Sequence, residues 1–399
     1  LASRKGRGDT KFMDKRRVPV VAILTVLQGV DRQRPFAEQT SMLAGFVRHA
    51  RELGMSAYLV TPEGVQSTSL SGWYLDGEQW RRKRTVPTPD VVYDRVPNRM
   101  AEKRPDVRRA KARLRGRRGV TYLGTDFFDK WQLHKAWAFD RRIARHVPRT
   151  TNYRGAASIR AMLRKHPSVY VKPRSSSLGL GIIRITGREP GPWKLSWRDP
   201  DGKRHDRSVR SLRLVARALD VFTRSRPYLV QQGIDMIPYH GRLFDIRAAV
   251  HRDIHGKWQI TGMGVRLGFA KSIVTNMAAG AVARPLHPII KEVARSLDRS
   301  SDEMITQLGD VALAAAEVLG DAFGDNLGEA GLDLAIDRNG HIWLLEANAK
   351  PLRTIFQELS DQTMAEDCLR KPMEYAYHLA VSSSPHKSNS IDGKRGEIE

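Results

Sequence analysis

The chain has 399 residues, 41% of them hydrophobic, and a formal net charge of +25. At about 100–200 residues per domain this supports two or three domains or one composite unit. With no apolar run of about 18 residues, it offers no candidate membrane span. Its one cysteine, Cys368, excludes an internal disulfide and a multi-thiolate metal site and fits a reducing cytosol. The charge points to polyanionic partners (nucleic acid, nucleotides, acidic proteins) or only to a basic proteome, and says nothing of fold.

The chain begins at Leu1 rather than Met, so its first residues are expected to be a processed or expression-dependent end. Residues 1–17, rich in Arg and Lys, read as a flexible basic segment. Val18–Leu27, interrupted by Pro19 and Thr25, reads as a buried strand and not a signal peptide, because no small-residue cleavage site follows. Phe36, Met42, Leu43, Phe46, Val47 and Leu53 recur at helical spacing, and Gly54 supplies a stop. Ala57–Val60 and Val91–Tyr93 read as short strands, the second ending at Asp94 and Arg95. This strand–helix–strand order predicts a small parallel α/β layer.

Asn98–Arg118 reads as an exposed basic helix, either a solvated face or a polyanion contact. Phe127–Arg145 and Ala157–Lys165 follow as helices. A β-rich stretch comes next. Ser168–Lys172 and Gly181–Thr186 flank the turn-prone segment Arg174–Gly179, and Trp193–Val209 reads as a polar hairpin. Ser211–Phe222 is a predicted helix, and Tyr228–Gln232, Leu243–His251 and Trp258–Val265 are predicted strands. Pro285–Leu319 reads as largely helical. The tail 382–399 is polar and expected to be disordered. His134, His146 and His166 sit on polar or basic stretches and read as solvated, and neither HExxH nor GxSxG occurs.

The most informative segment runs from Gly331 to Asn348. Asn339-Gly340 is a strong signal for a two-residue hairpin turn. With those two residues as the loop, Arg338 pairs with His341, Asp333 lies opposite Glu346, and Asn348 shares their face. Two facing carboxylates repel unless a hard divalent cation lies between them. Mg2+ takes one or two carboxylates plus substrate phosphates. An exposed polar face would alternate in the same way, so the pattern leaves both readings open.

Lys172 ends a strand and leads into Pro-Arg-Ser175-Ser176-Ser177-Leu-Gly179-Leu-Gly181, small residues that let backbone N–H groups approach phosphate oxygens. A tight hairpin explains the same glycines. In Phe244-Asp-Ile-Arg247, alternation puts Asp245 and Arg247 on one face, where the arginine meets phosphate or forms a surface pair with Asp245. Arg266 and Lys271 are further cationic candidates.

Taken in order, Val92-Tyr-Asp-Arg-Val, Phe128-Asp-Lys-Trp, Val171-Lys-Pro, Val230-Gln-Gln-Gly, Phe244-Asp-Ile-Arg, Val274-Thr-Asn and Leu345-Glu-Ala-Asn resemble the ATP-grasp superfamily. They are most similar to the endospore coat-associated ATP-grasp family of spore-forming bacteria, and the likeness runs from about Val18 to Phe356. It implies an α/β (α+β) fold in which two α+β subdomains sandwich a nucleotide. The N-terminal α/β domain would span 18–125 and the ATP-grasp domain 126–381, with a lid subdomain at about 150–232 and a metal-binding subdomain at about 233–381.

The resemblance makes Lys130 and Lys172 the nucleotide-binding lysines and Ser175–Gly181 a lid over the phosphates. Gln231, Gln232, Gly233 and Ile234 become the hinge that meets adenine, although many members carry acidic residues where Gln231-Gln232 stands. Arg247 and Arg266 would face the triphosphate or acyl phosphate, Asn276 would lie in the Ser/Thr-Asn loop, and Asp333, Glu346 and Asn348 would hold metal. The run after Asn276, Met-Ala-Ala-Gly280, lacks the basic residue and paired glycines of related peptide ligases.

The implied cofactors are ATP and two Mg2+ ions, and the implied activity is carboxylate–amine ligation through an acyl phosphate. Neither acid nor amine is identified. The charge points to an acidic polypeptide or polyanion acceptor, and the resemblance to spore-coat partners and a cytoplasmic or coat-associated location. The competing readings are a phosphotransferase on the same fold, a non-catalytic coat protein, and a polyanion binder.

Overall fold

A computed structural model describes residues 17–28, 34–176, 181–188, 191–199, 203–223, 226–268, 281–359 and 361–382. The expectations for residues 1–16, Ser177, Gly179, Lys271, Asn276 and the tail beyond Ser382 fall outside these residues. Among the described residues the strands form three sheets. No helix among them is long and apolar enough to cross a membrane.

The apolar run at β1 (Val20–Leu24) is buried along its whole length, because the strand lies inside a sheet covered on both faces. Val21 and Ile23 pack toward α1 (Thr40–Glu52), while Val20, Ala22 and Leu24 join the opposite layer. β2 (Ser56–Val60), β5 (Val91–Asp94) and β6 (Thr121–Leu123) continue the sheet in parallel. β3 (Gly72–Asp76) and β4 (Gln79–Lys83) add an antiparallel edge hairpin, giving the order β4-β3-β2-β1-β5-β6. Sequence reading missed this edge pair, where exposed basic residues break the apolar alternation.

The long basic helix is corrected to two. α2 (Arg99–Lys103) ends at Arg104, whose extended conformation is imposed by Pro105 at the start of α3 (Pro105–Arg115). Nor is the segment wholly solvated. Val107, Ala110, Lys111 and Leu114 are buried under the sheet. The next helix, α4 (Lys130–Phe139), is shorter than the predicted Phe127–Arg145, because Asp129 caps it at one end and Asp140 turns extended at the other.

The second sheet is antiparallel, in the order β11-β10-β9-β8-β12-β7. Its strands are β7 (Thr150–Asn152), β8 (Ser168–Pro173), β9 (Ile183–Thr186), β10 (Trp193–Arg198), β11 (Arg204–Val209) and β12 (Tyr228–Gln232). α5 (Ala156–Leu163) and α6 (Leu212–Thr223) pack on it through Ile159, Leu163, Leu212, Val215 and Leu219.

The third sheet, β15-β14-β13-β16-β17, is also antiparallel. It comprises β13 (Phe244–Arg252), β14 (Trp258–Leu267), β15 (Val282–Pro285), β16 (Glu329–Ile336) and β17 (Ile342–Asn348). One face packs on α4, α7 (Leu286–Ser296) and α8 (Ser301–Phe323). The predicted helical stretch breaks between these two, where the Ser300 hydroxyl accepts from the Glu303 backbone N–H and caps α8.

Past β17 come α9 (Thr354–Glu358) and α10 (Gln362–Ser382). α10 returns to the first sheet, and Met373, Tyr375, Ala376 and Ala380 complete the core beneath α1. The last described helix therefore ties the first sheet to the third. Met373 is fully buried there, and Met373→Ala should destabilise the protein by about 2–5 kcal/mol. Guanidinium unfolding followed by circular dichroism measures this, and a loss under about 1 kcal/mol would contradict the packing role.

Candidate functional site

The carboxylate hairpin reaches the predicted pairing by another route. Asp337 N–H bonds the His341 carbonyl, so the loop holds three residues, Arg338 to Gly340, and not two. Gly340 adopts φ +77°, which the turn requires and a side chain resists. Asp337 organises the loop, its carboxylate accepting from the backbone of Asn339 and His341 and from the Trp343 indole at 2.8–3.0 Å. This loop pairs Ile336 with Ile342 and Leu334 with Leu344, both in the core. A bulge at Leu345 then shifts the register by one, so Asp333 pairs with Glu346 and Gly331 with Asn348. Without the bulge, Glu346 and Asn348 would share the core face of Ile342 and Leu344. With it, Ala347 enters the core and the two polar residues turn to the opposite face.

That face carries the predicted cations. Arg247 lies beside Asp333 across β13–β16, its Nε donating to Oδ1 at 2.6 Å. Arg266 reaches the other Asp333 oxygen at 2.9 Å and binds Asp245 in bidentate fashion at 2.6 and 2.7 Å. Asp245, Arg247, Arg266 and Asp333 are all buried, so the surface-pair alternative for Asp245 and Arg247 is overturned. Burial works against an ionised Asp333, but Arg247 and Arg266 outweigh it and hold the carboxyl below its usual range. The same carboxylates push the Arg266 guanidinium above its ordinary value, against the effect of burial.

Two lysines arrive from other elements. Lys130 is the first residue of α4, placed by Asp129, whose carboxylate caps the Trp131 and Gln132 N–H groups. Its ammonium contacts Glu346 and donates to the Ser176 carbonyl at 3.0 Å. Lys172 lies near the end of β8 and is buried. Burial pushes its ammonium from 10.5 down to about 8, with Glu346 and Asp333 opposing and Lys130 reinforcing the shift. Arg174 joins the two lysine-bearing elements. Its carbonyl accepts from the Lys130 N–H at 3.1 Å and its guanidinium pairs with Asp129 at 2.9 Å. Sequence reading passed over Asp129 and Arg174, although an Asp directly before a helical run is a legible cap.

The remaining candidates lie around this centre. Ser176 is buried and Ser175 exposed. Gly181 sits beside Arg226 and Tyr228. Gln231 donates to the Thr150 hydroxyl at 3.0 Å, and the Gln232 side-chain oxygen accepts from the Arg149 N–H at 3.2 Å. Both side chains already serve the edge of the second sheet. A Cβ on Gly233 would fall 2.0 Å from the Ser168 hydroxyl oxygen, so the chain passes β8 there only as glycine. Ile234 follows, half-buried.

None of the three histidines read as solvated is fully so, and His166 is half-buried. His146 is buried, not solvated. It bonds the Ile342 carbonyl at 2.7 Å and stacks on His341, with ring centroids 5.0 Å apart. His134 is half-buried, and burial followed by the Lys172 charge pushes it down to about 4.

A lysine-bearing antiparallel sheet set against a second sheet with a carboxylate hairpin, behind a parallel α/β layer, is the ATP-grasp arrangement. A family model described as YheC/D-like ATP-grasp matches residues 119–379, and the chain belongs to that family. Endospore coat-associated protein YheD of Bacillus subtilis (strain 168) is 28% identical over 366 residues, covering 91% of this chain and 79% of that protein. YheC of the same organism, also described as endospore coat-associated, is 21% identical over 347 residues, covering 84% and 92%. The solved structure of the ATP-grasp ligase PsnB with a minimal precursor shares the fold at a TM-score of 0.51 and 14% identity, over 90% of this chain and 99% of that one.

A depressed lysine pKa has a definite sign in stability. The folded state penalises the charged ammonium, so stability rises with pH between about 8 and the unfolded value of 10.5. Lys172→Met should therefore raise the melting temperature at pH 7, and the gain should shrink as pH approaches 10.5. Scanning calorimetry at both pH values tests this; a variant less stable than the parent at pH 7 contradicts it.

Proposed function

We propose that this protein binds Mg-ATP and uses it to activate a carboxylate for ligation to an amine. The observation that carries the reading is convergence. Lys130 from α4 and Lys172 from β8 converge on the face of the third sheet that carries Arg247 and Arg266 from β13 and β14 and the Asp333/Glu346 pair from β16 and β17. Family membership and the shared fold of an ATP-grasp ligase point the same way.

The donor set fits magnesium. Asp333, Glu346 and the Asn348 amide offer only oxygen, as a hard cation prefers, and they share a face of the sheet. When bound, Mg2+ neutralises phosphate charge and orients the triphosphate. In the reaction a carboxylate oxygen attacks the γ-phosphorus, its bond to the β–γ bridging oxygen breaks, and ADP leaves. The amine then attacks the acyl carbon, the carbon–oxygen bond to phosphate breaks, and the amine proton passes to phosphate or solvent. Lys130 and Lys172 hold phosphate oxygens, and Arg247 and Arg266 stabilise charge on the transferred group. Such transfer needs positioning and charge more than covalent chemistry by the protein. Residues 231–234 lie beside adenine in this reading. The acceptor is proposed to be acidic, on the +25 charge, and association with a spore coat is proposed from the names of the two Bacillus subtilis relatives.

A screen of amino acids and acidic peptides for stimulated ADP release, with hydroxylamine to trap an acyl phosphate, tests the activity. Amide product supports ligation, whereas a stable phosphate ester makes the protein a phosphotransferase. Glu346→Ala should lower ADP release by about 10²-fold or more; full activity in that variant would exclude the metal role. Nucleotide affinity should be flat below pH 7.5 and decline as Lys172 loses its proton above about 8. Calorimetric titration of ADP from pH 7 to 9.5 reads this, and a pH-independent affinity rules out contact between Lys172 and phosphate.

A further inference from the structure

The motif Val92-Tyr-Asp-Arg-Val ends β5 in the first sheet, outside the site just described. Asp94 and Arg95 nonetheless reach the third sheet, and they do so at both open ends of the carboxylate hairpin. Lys350 follows Asn348 by two residues at the exit of β17. Its ammonium sits 2.8 Å from Asp94 Oδ1 and 3.0 Å from Glu102. Glu329 opens β16, four residues before Asp333. It receives Arg95 at 2.8 Å, Arg353 at 2.5 Å and the Tyr93 hydroxyl at 2.5 Å.

The four principals are buried: Asp94 is 1% exposed, Glu329 4%, Arg95 5% and Lys350 6%. Each is multiply held. Asp94 also receives Lys111 and the Tyr122 hydroxyl at 2.8 Å each, and its other oxygen accepts from the Val96 N–H at 3.1 Å. Arg95 further donates to the Pro351 carbonyl at 3.4 Å. Asp94, Glu102 and Asp126 lie close enough together to suggest a cation site of their own, but Lys111 and Lys350 already fill the space between them.

Buried pairs of this kind contribute little net stability, because desolvation offsets attraction, yet they hold geometry tightly. Here two consecutive residues at the end of β5, Asp94 and Arg95, grip the entry of β16 and the exit of β17. We infer that Asp94 and Arg95, through Lys350 and Glu329, are positioning residues that set the spacing of the Asp333, Glu346 and Asn348 oxygens for magnesium. The parallel layer then acts as a clamp on the metal hairpin and not only as a neighbouring domain. The inference rests on the nucleotide reading of the site.

The test is calorimetric titration of ADP into full-length protein, with and without Mg2+, for the parent, Lys350→Met and the double variant Asp94→Asn/Lys350→Met. The double variant removes both charges and so leaves no buried orphan should the single variant misfold. The expected result is a roughly tenfold rise in the Mg2+ concentration for half-maximal enhancement of ADP binding, with Mg2+-free affinity within about twofold of the parent. An unchanged Mg2+ dependence, or an equal loss with and without Mg2+, would overturn the clamp. A parent protein that binds no ADP at any Mg2+ concentration would instead overturn the nucleotide reading.

Discussion

Two carboxylates facing each other across a β-ladder repel, and Asp333 and Glu346 do so with Asp333 buried and Glu346 half-buried. The architecture around them follows from that constraint. Asp333 is held ionised by Arg247 and Arg266, supplied by the two neighbouring strands, and Glu346 is met by the Lys130 ammonium from the start of a helix. Each cation sits on a different element, so β13, β14 and α4 must come together before the hairpin is electrically balanced. A divalent cation and a polyphosphate would redistribute the same charges, with the metal taking the carboxylates and the phosphates taking the cations. The site is thus poised for a ligand whose charges alternate as Mg-nucleotide charges do.

A second tier of buried charge keeps the pair in register. Glu329 between Arg95 and Arg353, and Asp94 between Lys111 and Lys350, join the parallel layer to the hairpin. Burial works against ionised Asp94 and Glu329, yet both carboxyls are held well below their ordinary values by these cations. α10 reinforces the junction from the apolar side by filling the core under α1. The first and third sheets therefore share both a polar and an apolar interface, and the carboxylate–cation cluster lies beside that shared boundary.

Much of the frame was legible in local pattern. The continuous apolar run at β1 announced a buried strand, and the alternation in Phe244–Val250 put Asp245 and Arg247 on one face of β13, because side-chain period is a property of the backbone alone. The hairpin Asp333–Glu346 pairing was also reached, but from a two-residue loop that the protein does not use. A three-residue loop and a bulge at Leu345 offset each other, and Ile342 and Leu344, both core-facing, were the clue that the loop count was off. α10, the β3–β4 edge and the inward turn of Lys111 escaped the reading, since their apolar or charged partners come from distant segments.

The sequence by itself determined most of the elements, the oxygen-donor and cation types, and the face of β13 on which Asp245 and Arg247 lie, for these depend on composition and on the twofold or 3.6-fold repeat of the chain. Tertiary structure alone decided which cation meets which carboxylate. Arg266, not Arg247, pairs with Asp245, Lys130 crosses from α4 to Glu346, and Lys350 leaves the carboxylate hairpin for Asp94. The physical reason is that a buried charge takes the partner that packing brings within about 3 Å, and separation along the chain carries no information about that distance.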